Sequence, residues 1–288
     1  MKIQSLSLAV PCKCPNQCKF CVAHMDKKKY INQIEDNWRF AHLYWDDFKE
    51  RLMFARDNGC NTLMITGDGE PLMNRDFLEK FGHINKGLLI PFRWIELQTS
   101  GVFLDDAYLR FLRNHVKVSV ISLSISSLDS DKNAEYNGTP ENLIVNIDNL
   151  CSEIKRYDFT LRLSINLTDW FESVDVEHIL CTAKDLEADQ VTFRQLYTSN
   201  QNTVEDKWIN KHSVSNTKIK RINNYIKNHG NPMAKLPFGA TKYAIQNLSV
   251  VVDNDCMNQE IKDTYKYLIL RPDAKLYSRW DRKESVLF

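Results

Sequence analysis

Four of the eight cysteines in this 288-residue chain fall within one short segment, and their type and spacing are the strongest chemical feature of the sequence. They are Cys12, Cys14, Cys18 and Cys21, whereas the other four cysteines are scattered singly. The disulfide framework of a secreted protein spreads its cysteines through a short chain, so this distribution argues against one. Clustered thiols in a reducing compartment indicate metal or redox chemistry instead.

Cys14, Cys18 and Cys21 have the spacing CX3CX2C on a loop that follows a predicted strand. Soft thiolate ligands select zinc, copper(I) or iron–sulfur clusters. A structural zinc site uses four closed ligands, and an iron–sulfur cube normally takes four cysteines, so three thiolates on a cube leave one iron open. Three interpretations remain from the residues alone: a cube with an open iron, an electron-transfer cluster with Cys12 as fourth ligand, and a zinc site that uses Cys12 or His24.

Strand-like and helix-like segments alternate six times before residue 200. The predicted strands cover residues 3–10, 61–67, 94–99, 118–126, 160–167 and 190–196, and the predicted helices cover 45–55, 76–84, 105–115, 140–154 and 176–186. Strands that alternate with helices predict a parallel sheet, and right-handed crossovers curl such a sheet into a full or partial barrel. The fold class predicted is therefore α/β, with residues 1–200 forming a partial (β/α)6 TIM-like barrel.

The pattern changes in residues 201–288, which we expect to form a C-terminal α+β extension. Residues 203–230 are predicted to be helical in two pieces, residues 244–252 and 265–270 to be strands, and residues 272–275 to be a turn. We expect this extension to pack on the barrel and to cover its mouth as a substrate cover. Its most conspicuous polar and aromatic side chains are Arg271, Arg279 and Trp280.

A second segment, Gly67-Asp68-Gly69-Glu70-Pro71, stands at the end of the second predicted strand. Glycine lets the backbone approach a ligand closely, and the carboxyl ends of strands are where barrel folds place their chemistry. A glycine-rich turn that merely ends a strand is the alternative interpretation.

Together the two segments resemble the radical S-adenosylmethionine (SAM) superfamily, over residues 3–200. The match to its CX3CX2C motif includes the aromatic Phe20 directly before the last cysteine, while Asp68 stands within the counterpart of the family's GGEP motif. The resemblance implies a [4Fe–4S] cluster on Cys14, Cys18 and Cys21 whose open iron chelates the amino and carboxylate groups of SAM. One electron then cleaves SAM to methionine and a 5′-deoxyadenosyl radical, which abstracts hydrogen from a substrate.

The resemblance also assigns roles near the cluster. Phe20 is expected near the adenine, and the turn with Gly67, Gly69 and Glu70 is expected to bind the SAM amino group. Residues 99–101 end the third predicted strand and look like the family's TNG-type turn.

Polar residues at the ends of later strands extend the expected SAM site. Ser124 and Ser126 share one strand face, so either could contact the SAM ribose or carboxylate. Arg162 is expected to bind the SAM carboxylate if it points into the barrel, because an arginine there needs an anionic partner. An outward, solvated face is the other interpretation, and Arg194 on the sixth strand has the same two interpretations.

The composition of the chain limits the classes of partner that it is expected to bind. Lys and Arg exceed Asp and Glu by one, so no global field indicates nucleic acid or a membrane. No stretch approaches the roughly 18 apolar residues of a membrane span, and we predict a cytoplasmic enzyme that receives electrons from a donor such as flavodoxin or ferredoxin.

The substrate is not identified by the sequence, which is compatible with a small molecule or a nucleotide. A peptide-modifying maturase and a glycyl-radical activase are alternatives within the same chemistry, and a non-catalytic iron–sulfur or zinc binding module is the alternative of another class.

Overall fold

Strands and helices alternate six times from the N-terminus, as the sequence predicts. The computed structural model describes residues 2–25, 39–236, 239–253, 263–280 and 283–288. The strands of this first part are β1 (Lys2–Val10), β2 (Thr62–Gly67), β3 (Trp94–Thr99), β4 (Val120–Ile125), β5 (Thr160–Asn166) and β6 (Gln190–Arg194). The helices are α1 (Val22–Met25), α2 (Trp45–Asp57), α3 (Arg75–Lys86), α4 (Asp106–Phe111), α5 (Ser130–Asn137), α6 (Ile147–Arg156) and α7 (Val176–Asp185).

Residues 201–288 contain two helices followed by further strands. Their bounds are α8 (Val204–His212), α9 (Asn216–His229), β7 (Asn231–Lys235), β8 (Thr241–Ile245), β9 (Leu248–Asp253), β10 (Thr264–Leu270) and β11 (Leu276–Tyr277). The two predicted helical pieces and the predicted strand at 265–270 are thus confirmed.

All these strands belong to one sheet, whose order is β11-β10-β1-β2-β3-β4-β5-β6-β9-β8-β7. The strands from β10 to β9 in this order are parallel, and β11, β8 and β7 run antiparallel to their neighbours. Residues 201–288 therefore belong to the sheet itself, because they add one parallel strand at each edge of the six predicted ones.

The predicted partial TIM-like barrel is confirmed, and it is not closed. Among the described residues, β9 and β10 are edge neighbours of the parallel strands but do not pair with each other. Lys266 on β10 and Asp253 on β9 nevertheless face each other, with Nζ 3.6 Å from Oδ1. An ion pair, not a strand pair, thus spans the gap.

Alternation along the strands makes the barrel apolar outside and polar inside. On β6, Val191 and Phe193 are fully buried in the core shared with the helices, whereas Gln190, Thr192 and Arg194 are half-buried. Because successive side chains of a strand point to opposite faces, the residues of the second set project into the barrel. A polar interior of this kind is suited to a ligand cavity. No helix among the described residues is long and apolar enough to cross a bilayer.

Two predicted elements differ from the structure. The single strand predicted over residues 244–252 is the hairpin of β8 and β9, whose turn residues Gln246 and Asn247 have φ of 50° and 70°. Two consecutive left-handed residues are the geometry of a tight hairpin turn, which glycine usually signals and which this turn achieves without glycine. The helix predicted from residue 140 begins at Ile147, and α5 precedes it unpredicted.

Candidate active site

The three cysteines of the CX3CX2C segment line one cavity. Its volume is about 460 Å³, and Cys14, Cys18 and Cys21 form part of its wall at the carboxyl ends of the strands. Cys12 lies elsewhere: its thiol is buried and donates to the Val10 carbonyl at 3.3 Å. The structure thus brings together the predicted ligand set and leaves Cys12 out of it.

Cys18 is partly buried, and the two other cysteines of the set act on its pKa. Burial raises the pKa of the Cys18 thiol, and the neighbouring Cys21 and Cys14 raise it further. No three His, Cys, Asp or Glu side chains in the described ranges are close enough to hold a single metal ion.

A buried polar atom beside the thiols also fits a bound group. Asn16 lies between two of the cysteines, is almost fully buried and lines the same cavity. Its Oδ1 has no hydrogen-bond partner among the described residues. A buried unpaired oxygen is costly, which indicates that a ligand in the cavity completes its hydrogen bonding.

The end of α5 supports the cysteine loop. The Gln17 N–H lies 3.0 Å from the Asn137 carbonyl and 3.2 Å from that of Gly138, and Cys18 Sγ donates to the Asn137 carbonyl at 3.3 Å. Gly138 has φ of 56°, and a Cβ there would come within 3.0 Å of the Gln17 carbonyl. The unpredicted helix therefore contributes directly to the geometry of the site.

The glycines of the second motif bring the turn onto the cysteine loop. A Cβ on Gly69 would lie 2.4 Å from the Lys13 carbonyl oxygen and 2.5 Å from that of Cys12. A Cβ on Gly67 would lie 2.8 Å from the Val10 carbonyl, and the Glu70 N–H donates to Lys13 at 3.0 Å. The close approach that the glycines allow is thus to the chain's own loop.

Glu70 joins this turn to the end of β3. Its carboxylate accepts from Thr99 Oγ1 at 2.7 Å, from the Ser100 N–H at 3.0 Å and from Ser100 Oγ at 2.7 Å. Burial raises the pKa of the Glu70 carboxyl, and these donors act in the opposite direction. Glu70, Thr99 and Ser100 line the cavity, so the predicted turn at residues 99–101 orients the glutamate.

The two serines at the end of β4 are placed differently. Ser124 lines the cavity. Ser126 is fully buried, donates to Asn137 Oδ1 at 2.9 Å and accepts from Asn166 Nδ2 at 3.2 Å. Ser126 therefore holds the end of α5, and only Ser124 is available to a ligand.

Arg162 projects into the barrel, which is one of the two orientations considered in the sequence analysis, but it does not lie at the cysteine loop. Its guanidinium pairs with Glu96, and its Nε donates to Gln190 Oε1 at 2.8 Å. These partners lie in the amino-terminal halves of β3 and β6. The anionic partner of Arg162 in the structure is therefore Glu96.

Asp68, the departure from the family's motif, is paired with the C-terminal part of the chain. Its carboxylate lies 3.2 Å from Arg271 Nη1, and both side chains are less than a tenth exposed. Arg271 also donates to the Trp280 carbonyl at 2.8 Å and lies over the rings of Trp280 and Tyr277. Trp280 lines the cavity, so this pair connects the motif turn to the mouth of the barrel.

An aromatic contact that the sequence does not reveal lies beside Phe20. Phe20 lines the cavity, and its ring centroid is 5.8 Å from that of Trp208 on α8. Trp208 stacks on His212, whose Nδ1 is 2.9 Å from Asp169 Oδ2. Trp208 lies in a Lys- and Asn-rich segment without a motif, so only the packing of α8 on the loop identifies it.

Comparison with known proteins identifies the class. The family model of the Radical SAM superfamily matches residues 9–170, which is more than half of the chain. The chain therefore belongs to the radical SAM superfamily, is an enzyme with SAM-cleavage chemistry, and uses a [4Fe–4S] cluster and SAM as cofactors. Enzymes of this superfamily need a reductant. No curated protein sequence matches the chain.

Solved structures share the fold at low identity. Native anSMEcpe with bound AdoMet has a TM-score of 0.65 at 14% identity, covering 99% of this chain and 77% of its own. Coproporphyrinogen III oxidase (HemN) from Escherichia coli, a radical SAM enzyme, has a TM-score of 0.52 at 13% identity, covering 80% and 54%. Methylornithine synthase (PylB) has a TM-score of 0.50 at 16% identity, covering 78% and 63%. The chain thus spans between about half and three quarters of these proteins, and the likeness establishes the fold alone.

The cysteine assignment predicts different outcomes for neighbouring thiols. Cys18→Ser, like the same change at Cys14 or Cys21, should abolish iron loading after anaerobic reconstitution. Cys12→Ser should load iron as the wild type does, because its buried hydroxyl can still donate to Val10. Iron and sulfide content and visible absorbance measure both. Loss of iron in Cys12→Ser together with retention in Cys14→Ser would indicate that the ligands are Cys12, Cys18 and Cys21 instead.

The contact at Gly69 predicts that a single methyl group disturbs the cluster site. Gly69→Ala places Cβ against the carbonyls of Lys13 and Cys12, so the cysteine loop must shift and iron loading should fall severalfold. Gly87→Ala is the matched control, because its nearest neighbours are at an ordinary 3.5 Å. Iron content relative to protein is the measurement, and equal loading in both variants would contradict the packing role of Gly69.

The buried Asp68–Arg271 pair predicts a coupled loss of stability. Asp68→Asn or Arg271→Gln removes one partner of a buried ion pair, which should lower the free energy of unfolding by about 3 kcal/mol, and the double variant should lose less than the sum. Lys155→Gln, which breaks a more exposed pair with Asp189, should cost about 1 kcal/mol or less. Urea titration followed by circular dichroism tests this, and additive losses would refute the coupling.

Proposed function

We propose that this enzyme abstracts hydrogen from a small polar substrate, a small molecule or a nucleotide, inside the barrel. The observation that carries the proposal is the cavity itself, in which the wall with Cys14, Cys18 and Cys21 faces the polar interior of the strands. Its volume of about 460 Å³ falls within the ~300–1,000 Å³ common for small-molecule sites. A macromolecular substrate, as in the peptide-maturase and activase alternatives, would have to reach the same interior through the mouth.

We assign the cluster to Cys14, Cys18 and Cys21, which leaves one iron open to SAM. When bound, the reduced cluster supplies the electron that cleaves SAM to methionine and the 5′-deoxyadenosyl radical. The turn with Gly67, Gly69 and Glu70 then lies beside the methionine end of SAM. Its support is that Glu70 is oriented by Ser100 and belongs to the lining of the cavity.

The remaining SAM contacts come from Phe20 and Ser124. Phe20 lies in the cavity wall beside the last cysteine, where the family places the adenine, and its packing on Trp208 restrains its ring. Ser124 offers a hydroxyl at the end of β4. We leave Ser126 and Arg162 out of the SAM site, since their hydrogen bonds are made to Asn137 and Glu96.

The C-terminal part of the chain closes one side of the mouth. Trp280 lines the cavity and is held by Arg271, and Trp208 covers Phe20. Apolar rings at this position exclude water from a reactive radical. Cys14 is exposed, which leaves a route by which a small donor such as flavodoxin or ferredoxin in the cytoplasm delivers the electron.

The proposal predicts SAM cleavage by the reconstituted enzyme. Under anaerobic conditions, dithionite and SAM should give 5′-deoxyadenosine and methionine in equal amounts, measured by liquid chromatography. Cys18→Ser and the wild-type protein stripped of iron should give neither. If the purified protein binds zinc and the reconstituted protein yields no 5′-deoxyadenosine, the site is a zinc or iron–sulfur binding module and the proposal fails.

A further inference from the structure

One arginine inside the barrel has no counter-charge. Arg194 is the last residue of β6, projects into the interior and lines the cavity. Its Nε is buried without a hydrogen-bond partner, as is that of Arg271, but Arg194, unlike Arg271, forms no ion pair with a carboxylate in the described ranges. Arginine cannot lose its proton in a protein, so this charge is not relieved by deprotonation. The half-buried side chain therefore brings an unpaired positive charge to the cavity wall, which indicates that an anionic ligand is its partner.

Two other arginines of the barrel are each paired with a carboxylate of the chain, so their charges have a structural role. Arg162, on the adjacent strand β5, is paired with Glu96. Arg271 is paired with Asp68. Arg194 lies between strands that could have supplied a carboxylate in the same way, but its register partner on β5 is Asn166, a neutral amide.

The register partner of Arg194 on β9 is Asp253, but the carboxylate of Asp253 is directed to a different cation. Its Oδ1 lies 3.6 Å from Lys266 Nζ across the gap of the barrel, and both residues line the cavity with Arg194. Arg194 is thus left without a carboxylate at ion-pair distance within the described ranges. Arg194 and the Asp253–Lys266 pair, here called the Arg194 subsite, therefore fit an anion that pairs with the arginine.

The anion at the Arg194 subsite is not the carboxylate of SAM. In the proposed function that carboxylate chelates the open iron, on the loop after β1 and beside the turn after β2. In the sheet order, β6 is four places from β2, on the far side of the curved sheet. A second ligand with its own anionic group is needed there.

We propose that the Arg194 subsite binds the carboxylate of the substrate, so that the substrate is a small carboxylic acid. The planar guanidinium offers parallel N–H donors that match a carboxylate in a bidentate pair. Binding at β6 directs the rest of the molecule toward the cluster wall, where the hydrogen is abstracted. This inference rests on the proposed function for the position of SAM.

The test uses the reconstituted full-length enzyme, with SAM bound, and propionate as the carboxylate probe. Ligand-observed NMR should show saturable propionate binding that Arg194→Gln weakens about tenfold or more and Arg194→Lys weakens less. Propionamide, which has the same shape without the charge, should not bind. Arg113→Gln, which removes an arginine from the partly exposed pair with Asp158, is the control and should bind propionate as the wild type does.

The affinity for SAM distinguishes whether Arg194 binds the carboxylate of SAM or that of the substrate. It should change less than about twofold in Arg194→Gln, measured by calorimetry on protein of wild-type iron content. A loss of SAM affinity of about tenfold would assign Arg194 to SAM and overturn the proposal. Propionate binding that is absent, or equal in wild type and Arg194→Gln, would also overturn it. Absence of 5′-deoxyadenosine in the wild type would instead refute the proposed function, whatever the propionate result.

Discussion

The contact between the cysteine loop and the turn after β2 is the constraint on which the rest of the site depends. Gly69 lies against the carbonyls of Lys13 and Cys12, and the Glu70 N–H donates to Lys13. Because neither backbone could approach so closely with a side chain between them, the loop is held at the carboxyl ends of β1 and β2 together. Glu70 then extends the same restraint to Ser100 at the end of β3. One backbone contact thus sets the positions of cysteines and glutamate relative to each other.

Asp68, which departs from the family's motif, is linked to the structure of the C-terminal residues. In a barrel that ended at residue 200, this buried carboxylate would lack the guanidinium of Arg271. Here β10 runs beside β1, and Arg271 directly after it reaches Asp68. Arg271 in turn holds Trp280 at the mouth. In this turn, an ion pair takes the place of the backbone freedom that a glycine would give. The ion pair connects the motif to a strand that is distant in sequence.

The elements that could be predicted from the sequence are those whose signal is local. The predicted strand at 94–99 has the bounds of β3, since β-branched and apolar residues mark it directly. Helix α5 was missed because few of its residues are apolar, although Asp129 caps its start and Gly138 ends it in the left-handed conformation. The hydrogen-bond and ion-pair partners of Ser126 and Arg162 could not be predicted, because a strand pattern indicates the face on which a side chain lies but not the residue that it contacts. Glu96, the partner of Arg162, is 66 residues away.

The interior of the barrel contains two kinds of polar residue. In the first kind, another residue satisfies the charge or the hydrogen-bonding capacity, and in the second kind no described residue does. Arg162 is neutralised by Glu96, so it stabilises the base of the barrel and needs no ligand. Asn16 and Arg194 have buried polar atoms that no described residue satisfies, and they line the cavity from the cysteine loop and from β6. Since an enclosed protein tolerates few such atoms, their presence in one cavity is best explained by ligands that complete them. Arg194 differs from Arg162, on the neighbouring strand, in that the fold places no carboxylate of the described residues at ion-pair distance from it, and that difference distinguishes a structural arginine from a ligand-binding one in this barrel.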